Sequence, residues 1–138
     1  MLTTVEKVLF LKSIDLFSQI PGEDLAQVAL IATEESRDAG EDVFSEGDVG
    51  DALYLVLEGR VRVHRQDTTI AELGERECFG EIAILDASTR TATVTTLAEV
   101  ALLKIAREDF EELLQEKHAI AQGVIRVLTR RLRDSMRP

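Results

Sequence analysis

The residues of this chain best suited to chemistry are Glu81 and Arg90, nine positions apart. Arg90 is the single cation between Glu77 and Leu103, and its sequence neighbours include Glu75, Glu77, Glu81 and Asp86. Glu81 follows Gly80 in the run Gly80-Glu81-Ile82-Ala83-Ile84-Leu85, which reads as a short glycine-led helix before the loop Asp86 to Thr89. A helix start offers unpaired backbone N–H groups and a positive dipole end. A guanidinium adds a planar fork suited to a phosphate. Glu81 cannot bind that phosphate, because a carboxylate only accepts hydrogen bonds, so beside a phosphate its natural partner is a sugar hydroxyl. Arginine for phosphate and glutamate for ribose describe a nucleotide pocket. The same two residues also fit a surface ion pair worth under about 1 kcal/mol, and spacing alone does not choose between the two.

Other residue types exclude other chemistries. One cysteine, Cys78, cannot form an internal disulfide, which fits a reducing compartment and points to the cytoplasm. The two histidines, His64 and His118, are 54 positions apart, which disfavours zinc. Asp42, Glu46, Asp48 and Asp51 cluster in sequence but do not follow calcium-loop spacing. Neither a metal nor a cofactor is expected. With 26 acidic and 16 basic side chains among 138 residues, the net charge of −10 argues against nucleic acid as a partner. Charge is uneven, however: residues 126–137 carry five arginines against one aspartate, a net of plus four, which leaves minus fourteen for residues 1–125. Those arginines also fit a solvated helix end favoured by the dipole. The longest apolar run, the six residues Ala52 to Leu57, is far short of the roughly 20 that cross a bilayer, so no membrane span is expected. Met1 to Leu11 shows no secretory signal pattern.

The elements that must position Glu81 and Arg90 follow from periodicity. Val5, Val8, Leu9 and Lys12, then Leu25, Val28, Ala29 and Ala32, recur at spacings of three and four and predict two N-terminal helices within 1–35. Pro21-Gly22 opens the second, and Leu16, Phe17 and Ile20 form an apolar patch between them. From 36 to 106, short segments rich in Val, Ile, Leu, Tyr and Thr alternate with turn residues, a strand pattern. The clearest are Leu53 to Leu57, Val61 to Arg65, Thr68 to Leu73, Thr91 to Thr95 and Val100 to Ile105. Residues 107–138 are helical again, with Phe110, Leu113, Leu114, Ile120, Val124, Val127 or Leu128, and Leu132 on apolar stripes, divided near Lys117 and His118. The expected fold is one α+β domain over 1–138: a small antiparallel β-barrel or jelly roll flanked by N-terminal and C-terminal helices.

These residues also carry a resemblance. Phe79-Gly80-Glu81-Ile82-Ala83-Ile84-Leu85 followed by Arg90-Thr91-Ala92-Thr93-Val94 resembles the phosphate-binding cassette of the cyclic nucleotide-binding domain family, here 79–94. Phe44-Ser45-Glu46-Gly47-Asp48, Tyr54-Leu55-Val56 and Gly59-Arg60-Val61-Arg62-Val63 look like the glycine-marked hairpins of the same family. The resemblance implies that Glu81 binds the ribose 2′-hydroxyl and Arg90 an equatorial phosphate oxygen. The backbone of Gly80, Ile82, Ala83 and Ala92 would complete the phosphate cradle. Thr91 fits a guanine contact, yet members that favour cyclic AMP carry it too. Many members have proline before the arginine where this chain has Thr89. The C-terminal helix would move as a lid over the base, and Val63, Arg131 and Ser135 are the candidate base contacts.

Three function classes follow. The first is a sensor that binds cyclic AMP or cyclic GMP and reports it through its C-terminal helix. The second keeps the fold, has lost the ligand, and dimerises through its apolar helices. The third, an enzyme, lacks the metal cluster or histidine pair that phosphodiesterase chemistry needs. A catabolite-activator-like regulator would place a helix-turn-helix after the long helix, whereas this chain stops at Pro138. The module therefore acts alone, as a homodimer through its C-terminal helix, or within a larger parent protein.

Overall fold

Alternating side chains become strands when every second one finds a core, and residues 36–106 do this with two sheets instead of one. The computed structural model describes residues 1–86 and 88–137, with Ile82 and Ala83 described by their backbone alone. The strands are β1 (Ala32–Arg37), β2 (Asp42–Phe44), β3 (Ala52–Glu58), β4 (Val61–Arg65), β5 (Thr68–Leu73), β6 (Cys78–Phe79), β7 (Thr93–Thr96) and β8 (Val100–Ala106). They form two four-stranded antiparallel sheets, in the orders β1-β8-β3-β6 and β2-β7-β4-β5. This is a jelly-roll arrangement. Helices α1 (Thr4–Lys12) and α2 (Gly22–Ile31) precede the strands, α3 (Glu81–Leu85) interrupts them, and α4 (Arg107–Glu116) and α5 (His118–Ser135) follow.

The chain divides into two units. In the β unit, Ala32–Asp109, the inward positions Ala52, Tyr54 and Val56 of β3, Val100 and Leu102 of β8, Val61 of β4 and Val94 of β7 make one buried apolar cluster with Val43 and Phe79. The β3 residues Ala52 to Val56 are all buried, which explains why this strand reads as a continuous apolar run. Thr96 is a buried polar residue of the same unit. Its hydroxyl donates to the Asp38 carbonyl at 2.6 Å and accepts from the Glu41 amide at 2.9 Å, so its burial leaves no unmet bond.

Several expectations are corrected. Ala32 is not the last residue of a helical stripe: it opens β1, opposite Ile105 of β8. The strand went unread because Thr33 to Arg37 carry no apolar alternation, and backbone pairing along β8 defines it. Strands β2 and β6, three and two residues long, are too short to show a period. β7 starts at Thr93, not Thr91.

The helical unit comprises Met1–Ile31 and the chain from Phe110 onward. Thr3 caps α1: its hydroxyl accepts from the Glu6 amide, while the Glu6 carboxylate accepts from the Thr3 amide. Those bonds, the backbone one first, hold the Glu6 carboxyl below its ordinary value. Val5 and Leu9, read as core, are exposed, whereas Leu11 and Ile14 are buried. Val5, Val8, Leu9, Phe10 and Leu11 are apolar nearly all round the helix, so periodicity could not select a face. On α5 the buried residues are Ile120, Gly123, Val124 and Val127, and both Leu128 and Leu132 are exposed. Phe17 and Phe110 pack with ring centroids 5.9 Å apart. Gly123 lets α5 come close to the chain before α2, since a Cβ there would lie 2.8 Å from Ile20.

Gly59 turns β3 into β4 at φ +92, and an added Cβ would meet the Glu99 carbonyl at 2.6 Å. Left-handed strain and overpacking then act together, so Gly59→Ala should lower the stability to denaturant by on the order of 2–3 kcal/mol. An unchanged urea midpoint would contradict this account.

Candidate functional site

The segment after α3 returns along the loop between β2 and β3, and backbone bonds fix it there. The Arg90 amide donates to the Asp48 carbonyl at 2.7 Å, the Gly47 amide to the Arg90 carbonyl at 2.8 Å, and the Gly50 amide to the Ser88 carbonyl at 2.9 Å. Thr89 bridges to Val49 between these bonds. They use Ser88 and Arg90, not the Thr89 amide, so the segment is held without the proline that many similar sequences carry. From β4, the Arg65 Nε donates to the Thr91 carbonyl at 2.9 Å.

These contacts frame a cleft of about 230 Å³ inside the β unit, lined by Gly80, Glu81, Ser88, Thr89, Arg90, Thr91 and Ala92 on the α3 side, and by Phe44, Val63, Phe79 and Val94 of the strands. Glu81 and Arg90, nine residues apart in sequence, thus meet in one cleft. Thr91, Ala92 and Val63 line it with them. Ile82 and Ala83 lie in the first turn of α3, where their side chains are outside the described atoms. Ala87, in the loop read as Asp86 to Thr89, is outside the described residues, as is Pro138 at the end of the expected domain. Arg131 and Ser135 are not among the described residues that line the cleft. They belong to the helical unit, where Arg131 donates to Asp15 at 2.8 Å and the Ser135 hydroxyl to the Leu132 carbonyl at 2.7 Å.

Arg90 is the unusual group. It is 7% exposed. One terminal nitrogen donates to the Ala52 carbonyl at 2.8 Å. The Asp51 carboxylate pairs with it at 3.9 Å, its side chain 74% exposed. The Arg90 Nε is buried without a hydrogen-bond partner. Burial pushes the guanidinium down from its ordinary value, and Tyr54, Asp51 and Asp48 act in the opposite direction. A buried N–H left unmet costs about 1–3 kcal/mol, so an acceptor placed at this donor would be favourable.

Sequence reasoning missed Phe44, whose ring lies under the guanidinium with Cζ 3.9 Å from its centroid. Asp51 and Arg65 were missed as well. Their roles depend on chain segments that meet only in the fold, although Phe44 stood inside a motif already singled out. The acidic cluster has separate uses: Asp42 accepts from the Thr95 hydroxyl, Asp48 from the Ser45 amide, and Asp51 faces Arg90.

The fold and site together are an antiparallel jelly roll in which a buried arginine lines a small cleft. Comparison with known proteins places this arrangement in a family. The cyclic nucleotide-binding domain family matches residues 34–117. The cyclic AMP receptor protein of Thermus thermophilus is 39% identical over 101 residues, covering 70% of this chain and 47% of that protein. Among solved structures, the N-terminal domain of a transcriptional regulator from Streptomyces coelicolor has a TM-score of 0.86 at 34% identity, covering 92% of this chain and 94% of that one. The regulatory domain of Toxoplasma gondii protein kinase A, solved with cyclic AMP, has a TM-score of 0.75 at 28% identity, covering 80% and 44%. The chain belongs to the cyclic nucleotide-binding domain family. It spans about half the length of the curated relatives it matches. No helix among the described residues is long and apolar enough to cross a membrane.

Gly80 makes room for the guanidinium: at φ +83, a Cβ there would lie 2.7 Å from an Arg90 terminal nitrogen and 2.8 Å from the Ala52 carbonyl. Gly80→Ala should therefore push the guanidinium off that carbonyl. The expected readout is a loss of anion binding of about tenfold, the size of one charge-assisted hydrogen bond. Full retention in a titration would show that the contact is not needed.

Proposed function

We propose that this chain is a sensor module that takes cyclic AMP or cyclic GMP into the cleft, with the phosphate on Arg90 and the ribose 2′-hydroxyl on Glu81. The observation that carries this reading is the buried Arg90 with its unpartnered Nε in the cleft that also holds Glu81. The amides of Gly80, Ile82, Ala83 and Ala92 are the proposed remainder of the phosphate cradle, and Val63 and Thr91 are proposed to face the base. Binding requires no metal and no cofactor. The helices after β8 would report the ligand by a population shift, limited by how much the ligand prefers the shifted state. Arg131 and Ser135 of the C-terminal helix are the further proposed base contacts.

Calorimetric titration with both nucleotides tests the proposal. Arg90→Ala should weaken binding by at least about tenfold, because a charged hydrogen bond is worth roughly 1.5–3 kcal/mol and each 1.4 is a decade. Neither heat nor a thermal shift at millimolar ligand would sink the sensor reading. The cyclic nucleotide should also be recovered intact, as expected of a binding module and not an enzyme.

A homodimer is the proposed assembly. Ala121, Ile125, Leu128 and Leu132 follow one another on α5 at steps of four, three and four, and Ile125 and Leu132 are 59% and 62% exposed. That is a coiled-coil seam. Leu132→Asp should turn the dimer into a monomer in sedimentation, and an unchanged mass would remove α5 from the interface. The same seam is what supports the second reading, an interaction module without ligand, against which the shared cleft of Glu81 and Arg90 stands. The acidic net charge supports a role without direct nucleic-acid contact. The lone cysteine supports a place in the cytoplasm.

A further inference from the structure

Once one edge of a guanidinium is pinned by a hydrogen bond, the group can still swing about that bond. In Arg90 the pin is the 2.8 Å bond to the Ala52 carbonyl. What restrains the swing is Phe44, whose ring centroid is 3.9 Å from the Arg90 Cζ, well inside the roughly 6 Å reach of a cation–π contact. The ring is itself fixed from the opposite sheet, by Phe79 at 5.8 Å and Tyr54 at 6.1 Å between centroids, and those two stack on each other at 5.2 Å.

A ring also solves a problem that a carboxylate would not. A buried cation needs compensation when no ligand is present, yet a close carboxylate would occupy the N–H edge that an incoming phosphate needs. An aromatic face attracts the charge through its quadrupole and leaves the in-plane N–H groups unused. The site shows this division: the face lies on Phe44, one terminal nitrogen on Ala52, the carboxylate of Asp51 is held off at 3.9 Å, and the buried Nε has no hydrogen-bond partner among the described residues.

We propose that Phe44 is the positioning residue of the anion site, holding the Arg90 guanidinium charged and oriented so that its Nε edge faces the incoming phosphate. This rests on the reading of the cleft as a cyclic nucleotide site, and the test separates the two. Phe44→Leu keeps an apolar side chain and removes the π face, and should weaken cyclic AMP binding about three- to thirty-fold. Phe44→Tyr and Phe44→Trp should restore it to within about twofold, a recovery that restored bulk or melting temperature alone does not predict. In an Arg90→Ala background, Phe44→Leu should change nothing further. Independently of any ligand or variant, the Arg90 Nε–H resonance of the wild-type protein should lie upfield of the other arginines through the ring current of Phe44. An unshifted resonance overturns the proposal, as does equal affinity in Phe44→Leu, or a Tyr or Trp variant as weak as the Leu one. If the resonance is shifted while the wild type binds neither cyclic AMP nor cyclic GMP, the ligand assignment falls and the positioning role stands.

Discussion

Much of the β unit can be understood from the cost of keeping one positive charge out of water. The surroundings of Arg90 compensate its charge by parts: a ring face, a backbone carbonyl, and the carboxylates of Asp51 and Asp48. Each part places a demand on a different element. The ring comes from β2, the carbonyl from the first residue of β3, and room for the guanidinium from the missing side chain of Gly80. The bonds between 47–50 and 88–90 bring these elements to the same place. What the compensation leaves unmet, the Nε donor, is the part that a ligand can use.

The acidity of the chain is compatible with an anion site for the same reason. A net charge of −10 repels a long polyanion, whose binding needs many cations spread along a surface. It matters less to one small anion that meets a desolvated cation at short range, where the local dielectric is low and screening is weak. The arginines of α5 belong to another economy: two of them, Arg130 and Arg131, clasp Asp15 on exposed ground, where such pairs contribute little to stability. Beside them α5 also leaves Ile125, Leu128 and Leu132 exposed.

Local signals were legible wherever a short stretch held its own reason. Thr3 with Glu6 caps a helix within four residues, Val61 to Arg65 alternates and is a strand, and Gly80 before Glu81 opens α3. Gly80, Glu81 and Arg90 were legible as a candidate group because they lie within eleven residues, while the cassette itself was read from resemblance. Signals failed where the reason lay elsewhere in the chain. β1 has almost no apolar side chains and exists because β8 offers it a ladder. The buried face of α1 was ambiguous because the helix is apolar on several sides, and only its neighbours select Leu11 over Val5 and Leu9.

The sequence by itself determined the kinds of groups available and their local order: one cation in an acidic, strand-rich stretch, a glutamate after a glycine, and the longer strands and helices that show a period. Only the tertiary structure decided the state of that cation. Whether an arginine is a solvated surface charge or a buried donor depends on which residues surround it, and Phe44, Asp51 and Ala52 are 46, 39 and 38 positions away along the chain. Desolvation and stacking are properties of packing in space, and the fold alone brings those residues to Arg90.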